Sequence, residues 1–249
     1  MQEISPTWTA LLCAIFLAAG MVKGVTGMGL PTVAMGLLGM ALPPAAAAAL
    51  LLVPSLVTNV WQLLAGPAKA RLARRLWPMM LGIVAGTVLG AALLVRADPA
   101  RAGLGLGLAL IAYAGYALCA PPLAVPARLE AWLSPLVGAA TGLVTGATGV
   151  LVMPAVPYLQ ALRLDKDELV QALGLSFTVS TVALAAGLAA QGSLRLDQLG
   201  WSALAIAPAL AGMWLGQRIR SRISPVMFRR CFLLFLAVLG GELVLRAWR

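Results

Sequence analysis

Histidine is absent from this chain of 249 residues, and Asp, Glu, Lys and Arg together make up only 10% of it. Without imidazole the commonest metal ligand, and the one side chain that titrates unperturbed near neutral pH, are both gone. So little charge is far below the ~25% of a soluble domain, and a disordered chain needs the opposite composition. The three cysteines, Cys13, Cys119 and Cys231, lie inside or at the end of apolar runs without CxxC spacing. They read as small core hydrophobes, not as a disulfide or zinc framework. No GxxxxGK[ST], HExxH or Gly-x-Ser-x-Gly occurs, so the chain carries no ATP-hydrolysing loop, zinc-protease helix or nucleophile elbow. Nothing in the sequence asks for a cofactor or a metal.

What is there in abundance is apolar surface: 61% of the residues are hydrophobic, with a mean hydropathy of +0.96. The chain reads as an all-α integral membrane protein from end to end, with the lipid bilayer as its solvent. Its start, Met1 to Pro6, lacks the basic region of a cleavable signal peptide, so the first apolar run is read as the first membrane segment. The formal charge of +10 comes from 18 Lys and Arg against 8 acids. These cations sit in short loops between apolar runs, which is the topogenic pattern of cytoplasmic loops rather than a nucleic-acid surface.

About 20 apolar residues cross the ~30 Å hydrocarbon core as a helix. Candidate segments are Trp8–Gly27, a short Pro31–Met40, Ala45–Leu64, Leu76–Val95 and Gly103–Leu118. The pattern then recurs as Leu133–Gly149, a short Met153–Leu162, Leu169–Ala190, Leu199–Leu215 and Cys231–Trp248. Continuous runs argue against alternating β-barrel strands. Pro43-Pro44, Gly66-Pro67, Asp98-Pro99, Pro121-Pro122 and Ser224-Pro225 punctuate them.

One unit is used twice. Gly20 to Gly27 lies over Gly142 to Gly149 at an offset of 122, with five of eight positions identical and Pro31 and Pro154 following. The same offset pairs Thr58-Asn59 with Ser180-Thr181, and Gly90 with Gly212. The reading is one membrane domain of two similar four-segment repeats, 1–122 and 123–249; such internal duplication marks a transporter scaffold.

Charge sets the topology. Lys69, Arg71, Arg74 and Arg75 form one basic cluster, and Arg218, Arg220, Arg222, Arg229 and Arg230 the other; both are expected in the cytoplasm. If Leu133–Leu162 crossed once, the number of crossings between the clusters would be odd and they would face opposite sides. A hairpin that enters and returns makes the number even. Trp8–Met40 as one helix would also be about 50 Å long, far beyond the need of the core. Each repeat is therefore expected to open with a broken or re-entrant helix hairpin followed by three crossings, the second copy inverted. Eight plain crossings with one misleading basic loop is the alternative.

The Gly/Pro breaks are where chemistry is expected. Pro31 lacks a donor and clashes with the preceding turn, while glycine is flexible. Unwound backbone in lipid survives only where it lines a protein cavity or meets a ligand. A helix restarting there aims N–H groups and a positive dipole end at that cavity, which suits anions. Candidate substrate-binding residues at the breaks are Thr26, Gly27 and Gly29, with Thr145, Thr148 and Gly149 in the second copy. The competing reading is that these glycines merely let helices pack closely. Lys23 is the one cation well inside an apolar segment, a costly placement that marks a substrate or ion path unless it snorkels to the interface. Its counterpart is Thr145. Ser55, Thr58, Asn59 and Gln62 share one helix face, matched by Ser176, Thr178, Ser180 and Thr181 with Gln171 nearby. Asn59, Gln62, Thr178 and Thr181 complete the candidate site, with interhelical hydrogen bonding as the plainer role. Glu242 is expected to pair with Arg246 on the helix surface. Asp165, Asp167 and Glu168 suit a helix N-terminus.

At the duplicated motif, GMVKGVTGMGLP and GLVTGATGVLVMP, the chain resembles the sulfite exporter TauE/SafE family of membrane transporters. Length, two similar halves, a basic loop after the third segment and a polar patch after each motif extend the resemblance over nearly the whole chain. It implies transport of small anions such as sulfite, sulfoacetate, related sulfonates or carboxylates across the bacterial inner membrane, by alternating access about the two breaks. The expected partners are that anion, a coupling proton or sodium ion, and a second copy in a homodimer. An anion channel, or a membrane-embedded enzyme lacking the usual motifs, are the competing classes.

Overall fold

The computed structural model describes residues 6–119, 124–194, 196–220, 222 and 224–247, with side chains at 196, 197, 225 and 226 left aside. Pro121, Pro122, the boundary between the two proposed repeats and the end of the last segment at Trp248 fall outside these residues. The described chain is helical: α1 (Pro6–Thr26), α2 (Leu30–Gly39), α3 (Pro44–Leu64), α4 (Lys69–Arg96), α5 (Pro99–Cys119), α6 (Ala127–Thr148), α7 (Ala155–Ala161), α8 (Lys166–Ala190), α9 (Leu196–Leu204), α10 (Ile206–Arg220) and α11 (Pro225–Ala247). Six spans are long and apolar enough to cross a membrane: α1, α3, α4, α5, α8 and the run through α9 and α10. This is a multi-pass membrane protein.

The helices correspond to the ten expected segments with two differences. Leu199–Leu215 falls in two helices parted at Ala205. Pro208 is the cause, because it gives no N–H to the Leu204 carbonyl and its ring crowds it. Helices α4, α6 and α11 begin six or more residues before their apolar runs. Hydropathy marks only the part in hydrocarbon, and these helices carry their basic first turns into the interface.

Contacts at the helix ends fix the topology. The α4 end holds Arg71 against Glu168 at the start of α8, and Arg75 in a two-pronged pair with Glu130 at the start of α6 (2.6 and 2.7 Å). At the start of α11, Arg229 donates to the Ala117 carbonyl at the end of α5. Both basic clusters therefore lie at one end of the bundle. Arg96, bonded to Gln191, and Arg246, bonded to the Met40 carbonyl, lie at the other. The α1–α2 pair starts beside Trp201 and Leu204 and ends beside Arg246, so it leaves and returns at this second end. The α6–α7 pair starts beside Arg75 and returns so that Val125 donates to the Ala161 carbonyl (3.0 Å), at the basic end. Both are hairpins, as the parity of the basic loops requires.

The two hairpins pack alike on different partners. Helix α1 lies on α10 and α6 lies on α4. Gly20 and Gly24 press against the carbonyls of Ala209 and Met213, and Gly142 and Gly146 against those of Ile83 and Thr87. In return Gly212 and Gly216 meet Leu17 and Met21, while Gly86 and Gly90 meet Ala139 and Leu143. This pairs Gly212 with Gly86, not with Gly90 as the constant offset suggests. The offset grows from 122 to 126 because α8, of 25 residues, is four longer than α3, of 21. Four of the seven motif glycines thus serve close helix packing, and the other three, Gly27, Gly29 and Gly149, sit at breaks, with φ of 79°, 101° and 72°.

The cysteines depart from the expected core role: Cys13, Cys119 and Cys231 are free and exposed. The outer face of this bundle is itself apolar, with Trp61, Trp77, Leu89, Trp132 and Val238 all largely uncovered, so an apolar thiol gains nothing by facing inward. A Gly142→Val substitution would drive its side chain into the Ile83 carbonyl and the Thr87 N–H. The expected outcome is a loss of about 1–3 kcal/mol, read as a lower unfolding temperature in detergent. The same change at Gly241, which has open space around it, should change stability by no more than about 0.5 kcal/mol and so leave that temperature close to the parent's.

Candidate functional site

Helix α1 stops at Thr26 because Gly27 and Gly29 take left-handed backbone that other residues avoid, and Pro31 then opens α2 where no donor is needed. The polar groups freed by the break find partners locally. The Thr26 hydroxyl accepts from the Met28 N–H (3.2 Å) and lies within donating distance of the Met28 and Val22 carbonyls (2.6 and 2.9 Å). Gly27 N–H donates to the Lys23 carbonyl (2.8 Å). Gln62 donates from one amide nitrogen to the Gly27 carbonyl and the Val170 carbonyl, both 2.9 Å, and so ties the break to α3 and α8.

The second break repeats this chemistry. Thr148 accepts from the Val150 N–H (3.2 Å) and donates to the Val144 carbonyl (2.6 Å), and Gly149 N–H donates to the Thr145 carbonyl (2.7 Å). Here Thr145 donates to the Val150 carbonyl (3.2 Å). At the matching position of the first half stands Lys23, which turns away from its break.

Lys23 is 3% exposed. Its ammonium donates to the Thr58 hydroxyl at 3.2 Å and to the Asn59 side-chain carbonyl. The Asn59 amide reaches across to the Thr181 hydroxyl at 3.4 Å, which donates onward to the Phe177 carbonyl (2.7 Å). Lys23, Thr58, Asn59 and Thr181 thus form one buried cluster where α1, α3 and α8 meet. Neutral oxygens alone face the charge among these contacts. Along the same two helices Ser55, Ser176 and Ser180 are buried with hydroxyls that have no hydrogen-bond partner. Thr178, by contrast, is half-buried, bonds only the Gly174 carbonyl of its own helix, and stands apart from the cluster. Glu242 pairs with Arg246 at 2.8 Å, as expected.

The two breaks differ in access. A cavity of about 470 Å³ reaches the first, lined there by Val25, Thr26, Gly27 and Met28 and on its walls by Tyr113, Leu173 and Phe232. Its outer part is lined by Lys166, Arg220 and Arg229, so it opens towards the basic end. Thr26, Gly27 and Met28 are half-buried at its floor, while Lys23 lies one helical turn behind. The second break is sealed. Thr148 is 7% exposed, Val150 and Leu151 are fully covered, and the sulfur of Met35 lies so close to Gly149 that a Cβ there would come within 2.8 Å of it. At Gly27 the same added atom would meet nothing within 4 Å.

The sequence reading thus assembles into three places: the open break (Thr26, Gly27, with Gly29 buried against Phe232 and Val22), the cluster behind it (Lys23, Asn59, Thr181), and the sealed break (Thr145, Thr148, Gly149). Gln62 links the first two. Met35 and the cations at the cavity mouth were not singled out; Met35 is one apolar residue among many, and the cations read as topogenic. A family model described as Sulfite exporter TauE/SafE matches residues 12–243. The chain matches no curated protein and no solved structure.

Replacing Asn59 by Leu would remove an acceptor from a buried ammonium. The expected loss is about 1–3 kcal/mol of stability, with most of it recovered when Lys23→Met is added, since removing both partners of a buried polar contact is close to neutral. Thermal unfolding of the purified single and double variants checks this.

Proposed function

Because the chain belongs to the sulfite exporter TauE/SafE family, a family of membrane anion transporters, we propose that it is a secondary exporter of small anions, of the class of sulfite, sulfoacetate and other organosulfonates or carboxylates. It works in the bacterial inner membrane, by alternating access about the two breaks. The observation that carries this reading is the open break: a cavity from the basic end stops at Gly27, one turn from a buried lysine held only by neutral oxygens. Elements of a carrier are in hand. Unwound backbone lines a protein cavity, as lipid demands, and the amine of a buried lysine lies just beyond it. Orphan hydroxyls on α3 and α8 can take an anion's oxygens.

Alternation rests on reading 1–122 and 123–249 as inverted copies. Equal hairpins of opposite direction, equal glycine packing and the Asn59–Thr181 contact across the offset of 122 support it. With the first break open and the second covered by Met35, the molecule exposes one side at a time, which favours a carrier over a channel. By the charge rule the basic end is cytoplasmic, so this is the state that loads from inside. The coupling species belongs to the same proposal as a proton or sodium ion, and a homodimer as the assembly.

Radiolabelled sulfite trapped in proteoliposomes should exchange with external sulfite. Lys23→Met should slow that counterflow about tenfold or more, the loss expected when a charge-assisted contact of about 1.5–3 kcal/mol disappears. Absence of counterflow for sulfite, sulfoacetate and short carboxylates alike in the unaltered protein would sink the reading. Truncating the seal, in Met35→Ala, should turn exchange into leak: efflux that no longer depends on external substrate.

A further inference from the structure

Three cations outside the buried cluster share the outer cavity: Lys166 at the start of α8, Arg220 at the end of α10 and Arg229 in the first turns of α11. They come from three separate helices and converge on one opening. None of the described residues lining that opening is acidic. Asp165 and Asp167 flank Lys166 along the chain without lining the cavity, and Glu168 is engaged by Arg71. Arg229 is held across the mouth by its bond to the Ala117 carbonyl (3.2 Å), so its charge is fixed in place. Tyr116 and Gln160 line the same cavity and add further donors.

We propose that this vestibule is an outer binding site for free anions carrying two negative charges, filled before the anion reaches Gly27. The proposal rests on the transport reading for its purpose but not for its measurement. Topogenic cations need only lie near the interface; nothing in that role requires three of them, Lys166, Arg220 and Arg229, to face one cavity whose described lining holds no acid. Three cations around one cleft with a low-dielectric wall concentrate anions in it, and the gain grows with the charge of the ligand. A cation about 10 Å away across water-like dielectric changes occupancy by about twofold for a monoanion and about fourfold for a dianion, because doubling the charge doubles the energy and squares the factor.

The test uses the full chain with Cys13, Cys119 and Cys231 replaced by Ala and Gln160→Cys as a reporter in the cavity wall. Tyr116→Cys serves in its place if that variant is poorly made. The rate at which a methanethiosulfonate reagent forms a mixed disulfide with that cysteine, releasing methanesulfinate, is followed in nanodiscs against rising sulfate or nitrate. Sulfate should protect at lower concentration than nitrate. Arg220→Gln or Lys166→Gln should raise the half-protecting concentration about fourfold for sulfate and about twofold for nitrate, while Arg229→Lys should leave both in place. High salt, which shortens the screening length to about 3 Å at 1 M, should erase the difference. Equal shifts for the two anions, or no protection by either, overturns the proposal. So does protection that vanishes when phosphatidylglycerol is added to phosphatidylcholine discs, which would make a lipid headgroup the occupant. A protein that binds sulfate here yet shows no sulfite counterflow would keep the vestibule and lose the transport reading.

Discussion

A peptide group without a hydrogen-bond partner cannot face hydrocarbon, and the arrangement of this molecule follows from keeping that rule at two places where a helix stops. Each break is supplied from within by a threonine one residue before the glycine, Thr26 or Thr148, whose hydroxyl takes the N–H two residues on. The rest of the supply comes from outside the hairpin at the first break, where Gln62 brings α3 to the Gly27 carbonyl and α8 to the same amide. That contact makes the break, α3 and α8 one mechanical unit. A movement of the hairpin must carry those helices with it or exchange the bonds for others.

The two halves spend the same position differently. Thr145 stays at home and satisfies the Val150 carbonyl of its own break. Lys23, with a longer stem, leaves its break to Thr26 and Gln62 and carries its charge to Thr58 and Asn59. A hydroxyl at position 23 could do no more than repeat the local hydrogen bond that Thr145 makes in the second half. The lysine instead places a positive charge at the centre of the bundle, at a cost that an apolar or hydroxyl side chain would avoid. Such a cost is accepted at sites of function, which sets this lysine apart from the hydroxyls around it.

What could be read from the chain alone was the backbone, because glycine and proline act locally. Gly27, Gly29 and Gly149 announce their breaks through φ, and the parity of the basic loops announces the hairpins. Partnership across the bundle was less legible. A membrane helix is apolar all round, so no moment points Gly20 at α10 or distinguishes Met35 from its neighbours. The same uniformity hid that Cys13 and Cys231 face outward and that Thr178 lies off the face shared by Ser180 and Thr181. The constant offset failed by one turn at Gly212, since four residues added within α8 displace everything after them without disturbing any local pattern.

If the halves are inverted copies, as proposed, identical chemistry in both would bind an anion equally well from either side. Here the chemistry is unequal: Lys23 and the cations at the basic mouth belong to one approach, while the other is closed by a thioether over glycine. Such inequality cannot set the direction of net flow, which the gradients of substrate and coupling ion fix. It does set how each side saturates. On the proposed reading the three cations that share the cavity at the basic mouth lower the concentration at which the site fills from that side, and release past the covered break is release from a weaker hold. An exporter that must act while its substrate is scarce inside gains from that order of affinities, whereas an importer built on the same scaffold would gain from its reverse.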